Sequence, residues 1–243
     1  MLSLGAAAGG AARRLVEPVL AVVFPARCPC CTRPLRRLLR GPLCEACWEA
    51  LPPVALALCP CVGGGAPCPR CRRGRNPVGQ GLSLGRHEGA LRLLVHELKY
   101  RGKRAVARRL AEQFLARPEM RALLVPGCVL VPVPLHPRRL RARGFNQSEL
   151  MARALARGCG ARLASSALAR RTDTPSQTGL SAAARRANLK DAFLVRRRGV
   201  VAGRVVVLVD DVFTTGATAR ACARALRAAG AAEVHLLTAT RVL

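Results

Sequence analysis

The run Arg204–Arg220 reads RVVVLVDDVFTTGATAR. Its first block, Val205–Val209, is β-branched except for Leu208, the pattern of a buried strand. Asp210 and Asp211 follow, then a turn of small and hydroxyl-bearing residues, Thr214, Thr215, Gly216, Ala217 and Thr218. From about Thr218 to Ala229 the pattern is helical, and Gly230 marks its C-terminal stop. Strand, acid pair, hydroxyl-rich turn and helix make a shape suited to a phosphorylated sugar.

The chemistry explains the residue types. A phosphate dianion needs donors converging from one side, and the turn supplies backbone N–H groups, threonine hydroxyls and the positive end of a helix. Gly216 has no Cβ to keep the backbone away from the phosphate. Carboxylates would repel a phosphate, so Asp210 and Asp211 suit hydroxyl donors such as a ribose diol, or a metal ion. The chain holds four aspartates, and two of them stand side by side here. Adjacent like charges cost free energy unless a ligand or cation uses them. Walker A fails for want of Lys-Ser/Thr after the glycine, and no G-x-G-x-x-G follows a strand. The plain alternative is an ordinary strand–turn–helix of an α/β protein.

LVDDVFTTGAT resembles the phosphoribosyl pyrophosphate (PRPP) motif of type I phosphoribosyltransferases. The resemblance implies that Asp210 and Asp211 hold the ribose 2′ and 3′ hydroxyls. It also implies that Thr214, Thr215, Gly216, Ala217 and Thr218 wrap the 5′-phosphate.

A chain of 243 residues is long enough for one α/β domain and a small extra module. Aromatic residues make up 3%, so the core must be built from Leu, Val and Ala. The formal net charge is +28, and all but three of the 41 basic residues are arginine. Such a surface associates with polyanions at low salt. An Ala/Arg/Gly-rich composition would produce the same charge without a partner, and arginine also suits a small phosphorylated ligand. Leu15–Phe24 is apolar but about half the ~20 residues a membrane span needs. It reads as a short helix packed on the protein, with no export signal, so the expected location is cytoplasmic.

Nine of the twelve cysteines fall between residues 28 and 71. Cys28-x2-Cys31 and Cys44-x2-Cys47 have the spacing of one zinc ion held by four thiolates. Cys59-x-Cys61 with Cys68-x2-Cys71 is a weaker second site, one spacer short, which binds zinc with distorted geometry or is degenerate. Segments this short bury too little apolar surface to fold unaided; structural zinc supplies on the order of 10 kcal/mol. Disulfides in a secreted protein are the competing reading. Cys30 is an odd thiol or an alternative ligand. Cys128, Cys159 and Cys222 read as small buried hydrophobes. This region, including Leu43-Cys44-x2-Cys47-Trp48, resembles the double zinc ribbon that begins ComF-family proteins, with Trp48 as a core anchor.

Further along, Asn76-Pro77 through Gly85 reads as a boundary. Ala90–Leu98 and Ala105–Arg117 are amphipathic helices, and 118–127 is a connection. Between the helices, Lys99-Tyr100-Arg101-Gly102-Lys103-Arg104 is a solvated face or, by its resemblance to the family's HxLKYRG segment, lies near a ligand's charges. Cys128–Val133 is expected to be the first strand of a parallel sheet. The loop after it carries Arg138, Arg139, Arg141 and Arg143, and ligands of open α/β sheets sit outside the carboxyl ends of strands. There the arginines could face pyrophosphate. His136 reads as a strand-end polar residue, and Asn146 or Ser148 as a helix cap. Arg138-Arg139-Leu-Arg-Ala-Arg143-Gly-Phe-Asn-Gln-Ser148 resembles the ComF signature. Arg170–Phe193 is too long for an ordinary connection; in type I phosphoribosyltransferases the corresponding stretch is a lid over PRPP, which would bring Gln177 and Lys190 to the ligand. Glu233–Thr240 is a strand.

The resemblance runs in family order from Cys28 to Arg241, and on it the chain is identified as a member of the ComF family. The expected fold is α/β: a leader over 1–27, a double zinc ribbon over 28–75, and a type I phosphoribosyltransferase-like parallel sheet flanked by helices over 85–243. What the resemblance implies is PRPP as ligand, Mg2+ with it, one or two structural Zn2+, and a link to DNA uptake or nucleotide metabolism. The acceptor and any catalytic base are left open. The alternative is a non-catalytic competence factor that handles single-stranded DNA, works with competence helicase machinery, and uses the PRPP pocket for sensing or stability. Seven aromatics in all make a poor single-strand stacking platform.

Overall fold

The computed structural model describes residues 26–35, 41–52, 56–59, 68–74, 76–171 and 192–242. The expected leader helix and the centre of the expected lid, with Gln177 and Lys190, lie outside these residues, as does Cys61.

The strands are β1 (Leu56–Leu58), β2 (Gly81–Arg86), β3 (Val129–Pro132), β4 (Arg162–Leu163), β5 (Leu168–Arg170), β6 (Phe193–Val195), β7 (Val205–Phe213) and β8 (Glu233–Arg241). Five run parallel in the order β2-β8-β7-β3-β4, and β1 adds antiparallel outside β2. β5 and β6 pair as a separate antiparallel ribbon at the two ends of the expected lid. The helices are α1 (Glu45–Glu49), α2 (Pro69–Arg72), α3 (Gly89–Arg101), α4 (Arg104–Leu115), α5 (Pro118–Arg121), α6 (Pro137–Arg143), α7 (Gln147–Cys159), α8 (Arg198–Val201) and α9 (Ala217–Ala228).

Alternation along β7 builds two cores. Val207 and Val209 join Leu94, Leu98, Leu110, Phe114, Met151 and Leu155 of α3, α4 and α7 on one face. Val206 and Leu208 join Cys222 and Leu226 of α9 on the other. A strand buried on both faces needs a continuous apolar run, which is what its sequence supplies. Trp48 belongs to the first core with 1% exposure, together with Cys28, Leu43 and Leu51. Arg109 of α4 lies 5.1 Å over the Trp48 ring and donates to Glu45 of α1 at 2.6 Å. Buried Arg117 donates to the Pro52 carbonyl, and Arg241 of β8 donates to the Ala57 carbonyl of β1 at 3.1 Å. The cysteine-rich stretch is thus tied to both the helices and the sheet.

Four expectations need correction. The stretch read as a boundary carries β2, so Cys128–Val133 is not the first strand of the sheet. GLSLGR has no β-branched residue, and its place is set by pairing with β8. β7 does not stop at Val209 but runs through both acids to Phe213, held by the partners Asp210↔Thr238 and Val212↔Thr240. The connection at 118–127 begins with a helical turn, α5. The arginine loop is helix α6, opened by His136, whose Nδ1 accepts from the Arg138 amide at 3.3 Å.

Gly102 ends α3 in the left-handed conformation, φ 59°. A Cβ there would sit 2.9 Å from the Phe145 ring, so the two ComF-like segments pack against each other at this point. Gly102→Ala is expected to cost about 1–2 kcal/mol from the backbone alone, with a further loss from displacing Phe145. Thermal or denaturant unfolding checks this.

Candidate functional site: a basic cleft at the carboxyl ends of the strands, and two cysteine clusters

Consecutive residues of a strand face opposite ways, and the two acids do so here. Asp211 points to the α3 side. It is 6% exposed, its Oδ2 has no hydrogen-bond partner among the described residues, and Lys99 Nζ stands 3.9 Å away. Asp210 is half-buried, and its Oδ1 accepts from Ser148 Oγ and from the Asp211 amide, both at 2.9 Å. Ser148 is carried by α7, whose N-cap is Asn146; the Asn146 side chain accepts from the Ser148 amide and donates to the Val133 carbonyl, both at 3.0 Å. Arg143 donates to Gln147 Oε1 at 2.7 Å. The arginine-to-serine segment therefore braces the acid pair from β3.

Burial, then repulsion from Asp211, pushes the Asp210 carboxyl up from the ordinary carboxylate range to about 8. Hydrogen bonds from Ser148 and the Asp211 amide pull the other way without overcoming this. The sign of the linkage follows. Between about pH 4 and pH 8 the folded chain keeps a proton that the unfolded chain has released, so Asp210 makes stability fall as pH rises through that window. Chemical unfolding of Asp210→Asn and of the parent chain, compared from pH 4 to pH 8.5, should give a flatter profile for the variant. His87 opposes this slope, since burial and then Arg92 and Lys99 lower its pKa against the pull of Asp211; the difference between the two chains isolates Asp210.

A cleft of about 590 Å3 opens over these groups. Of the residues expected at a ligand, Lys99, Arg139, Asp211, Thr214 and Thr218 line it. Asp210, Thr215, Gly216, Ala217, Arg138, Arg141 and Arg143 are not among its lining residues. The arginines separate because a helix turns 100° per residue, so α6 fans them around its axis. Gly216 is buried at φ 68° and caps the N-terminus of α9, with its carbonyl accepting from the Arg220 amide at 2.9 Å. The Thr215 carbonyl accepts from the Arg220 side chain.

The cleft also takes residues that sequence reasoning passed over, His87 just after β2 and Arg92 and His96 on α3, together with Tyr100 of the 99–104 segment and Arg170 at the start of the expected lid. His87 Nδ1 lies 2.9 Å from Thr240 Oγ1. Tyr100, 64% exposed, has its ring 4.7 Å from His96 and the Arg143 guanidinium 5.8 Å from its centroid. The signal for α3 lay in its spacing: Arg92, His96, Lys99 and Tyr100 recur at i, i+4, i+7 and i+8, one face of a helix. An acid with an unfilled acceptor, hydroxyls at a helix start and a cationic rim can bind a polyol phosphate and offset the charge of a polyphosphate.

The sulfurs of Cys28, Cys31, Cys44 and Cys47 lie within 4.8 Å of one another, with 3.5 Å between Cys31 and Cys44. A tetrahedral zinc with bonds of ~2.3 Å to sulfur needs such crowding. Cys59, Cys68 and Cys71 form a second cluster, with Sγ–Sγ distances of 3.6 and 3.7 Å from Cys71. Amide N–H groups support its sulfurs: Cys68 N donates to Cys59 at 3.4 Å and Asn76 Nδ2 to Cys71 at 3.1 Å. Both donor sets suit zinc. Cys30 is exposed and outside them; Cys128 and Cys222 are buried, and Cys159 is half-buried. No helix among the described residues is long and apolar enough to cross a membrane.

Residues 143–242 match the family model of the phosphoribosyl transferase domain. The DNA utilization protein YhgH of Salmonella typhimurium is 36% identical over 231 residues, 91% of this chain and 100% of that protein. Competence protein F of Haemophilus influenzae is 32% identical over 70% of this chain and 76% of its own. Competence protein ComFC of Bacillus subtilis is 34% identical over 46% of this chain and 44% of its own.

Proposed function

The chain belongs to the ComF family of phosphoribosyltransferase-domain proteins, and from that premise we propose that its cleft binds PRPP. The observation that carries this is the buried Oδ2 of Asp211, which takes no hydrogen bond among the described residues, in a cleft shared with Thr214, Thr218, Lys99 and Arg139. A ribose hydroxyl donating to Asp211 would satisfy that oxygen. The 214–218 turn would hold the 5′-phosphate through its amides and hydroxyls at the start of α9. Asp210, held by Ser148 outside the cleft lining, would act on the ribose site by orienting the Asp211 backbone. Lys99, Arg139, Arg92 and Arg170 would offset the charge of pyrophosphate; Gln177 and Lys190 are its further candidates.

In a transfer reaction the bond from C1 to pyrophosphate breaks and its electron pair leaves with the pyrophosphate. A nucleophile then donates a pair to the electron-poor C1, whose developing charge the nearby Asp211 carboxylate would stabilise. Mg2+ bound with PRPP would neutralise the leaving group. Pyrophosphate release from PRPP–Mg2+, measured with free bases, nucleosides and oligonucleotides as acceptors, tests this. Release that depends on one acceptor class and on Asp211 supports transfer; no binding of PRPP overturns the reading.

The names of the relatives and the charge of +28 favour a second reading, a role in handling DNA during uptake in a cytoplasmic setting with helicase partners. In it the cleft senses PRPP or uses it for stability. A DNA-binding component that persists at physiological salt supports it, and complete loss there indicates incidental charge.

A further inference from the structure

Away from the cleft, a second groove of about 650 Å3 runs between α4 and α7. Two arginines enter from each helix, Arg104 and Arg108 from α4 and Arg153 and Arg157 from α7, each pair spaced i, i+4 along one face. All four are exposed. Glu149 pairs with Arg153 at 2.6 Å and Glu112 reaches Arg108 at 4.0 Å, while Arg104 and Arg157 have no carboxylate within 4.0 Å among the described residues. Four exposed arginines along one groove with so little countercharge favour a polyanion that neutralises them. Phe145, half-buried against Gly102, and Leu140, 41% exposed, line the groove beside them.

From this arrangement we infer that the α4–α7 groove is a binding site for single-stranded nucleic acid. The two arginine rows hold phosphates, and bases lie on the apolar and aromatic surface between them. The two helices pack directly against each other, so the groove is a furrow along their seam with one arginine row on each wall. The flexible backbone of a single strand can follow it with its bases turned inward, which the paired bases of a duplex cannot do. An acidic peptide would use the arginines but not Phe145 and Leu140. This site rests on the DNA-handling reading and not on PRPP.

The test is fluorescence anisotropy with labelled oligothymidylate of roughly fifteen nucleotides, titrated against salt on the full chain. Arg104→Gln with Arg157→Gln is expected to weaken binding tenfold or more near physiological salt. It should also reduce the log–log salt slope by about 1.4, from ~0.7 per lost phosphate contact. Arg224→Gln with Arg227→Gln, on α9 across the sheet, removes the same charge elsewhere and should leave affinity within about twofold. Equal losses from the two pairs would mean diffuse attraction and overturn the site, as would no binding by the parent chain at that salt. Equal affinity for a duplex of the same length would remove the single-strand assignment, and equal competition by polyglutamate would remove the role of the bases. The PRPP–Mg2+ thermal shift should be the same in both double variants and the parent; its absence in all three would count against the PRPP reading alone.

Discussion

Asp211→Asn should lose most of the thermal stabilisation that PRPP–Mg2+ gives the parent chain, while the unliganded variant melts no lower than the parent. A ligand at a hundred times its Kd stabilises by about 2.7 kcal/mol, which for a chain of this length is an upward shift of roughly 5–10 °C. The buried Oδ2 takes no hydrogen bond from the described residues, and Lys99 at 3.9 Å is beyond hydrogen-bond reach. Neutralising it removes a buried charge that Lys99 offsets only across 3.9 Å, so the free protein loses little. In the complex the same change removes a hydrogen bond to a charged acceptor, worth about 1.5–3 kcal/mol, or roughly a tenfold to hundredfold loss of affinity. A variant that kept the full shift would exclude Asp211 from the ribose. Apo melting well below the parent would mean that the carboxylate holds the fold together instead.

Removal of zinc should have the larger effect on the fold. Structural zinc sites carry about 10–16 kcal/mol, and the first cysteine cluster sits inside the same core as α3 and α4. Titration with a strong zinc chelator should shift the emission of Trp48, the single tryptophan, to the red as its indole becomes hydrated. A loss of even ~5 kcal/mol would lower the melting temperature by roughly 10–20 °C. Cys44→Ser should reproduce this and lower the bound zinc by one ion per chain, whereas Cys30→Ser should leave both unchanged. Metal analysis of the parent chain should give two zinc ions if Cys59, Cys61, Cys68 and Cys71 also load, and one if they do not. Unchanged Trp48 emission after metal removal would refute a structural role for the first cluster.

What could be read from the sequence was what local chemistry encodes. Val205–Val209 is a buried strand because its side chains leave it little else to be, and the cysteine pairs announce themselves by spacing. The start of α7 follows from Asn146 and the stop after α9 from Gly230. The strand β2 was hidden because two glycines and no β-branched residue give it no propensity of its own; β8 imposes it. The continuation of β7 through Asp210 and Asp211 was hidden for the same reason, since a carboxylate prefers a turn and the Thr238 and Thr240 partners override that preference. With β2 unseen, His87 had no place in the argument. Arg92 and His96 reach the cleft only because α3 packs against β8 and β2, and no spacing within the sequence states which neighbour a helix face will meet. The four arginines after β3 were grouped by sequence and are dispersed by the geometry of α6.

The position of β1 has a practical consequence. It is three residues long, it is drawn from the cysteine-rich stretch, and it covers the outer backbone of β2. If metal loss releases it, the chain exposes a row of unsatisfied amides that a second chain can complete. Metal-starved preparations should then turn into oligomers and precipitate, and how much protein stays monomeric during purification will track the metal content of the buffer.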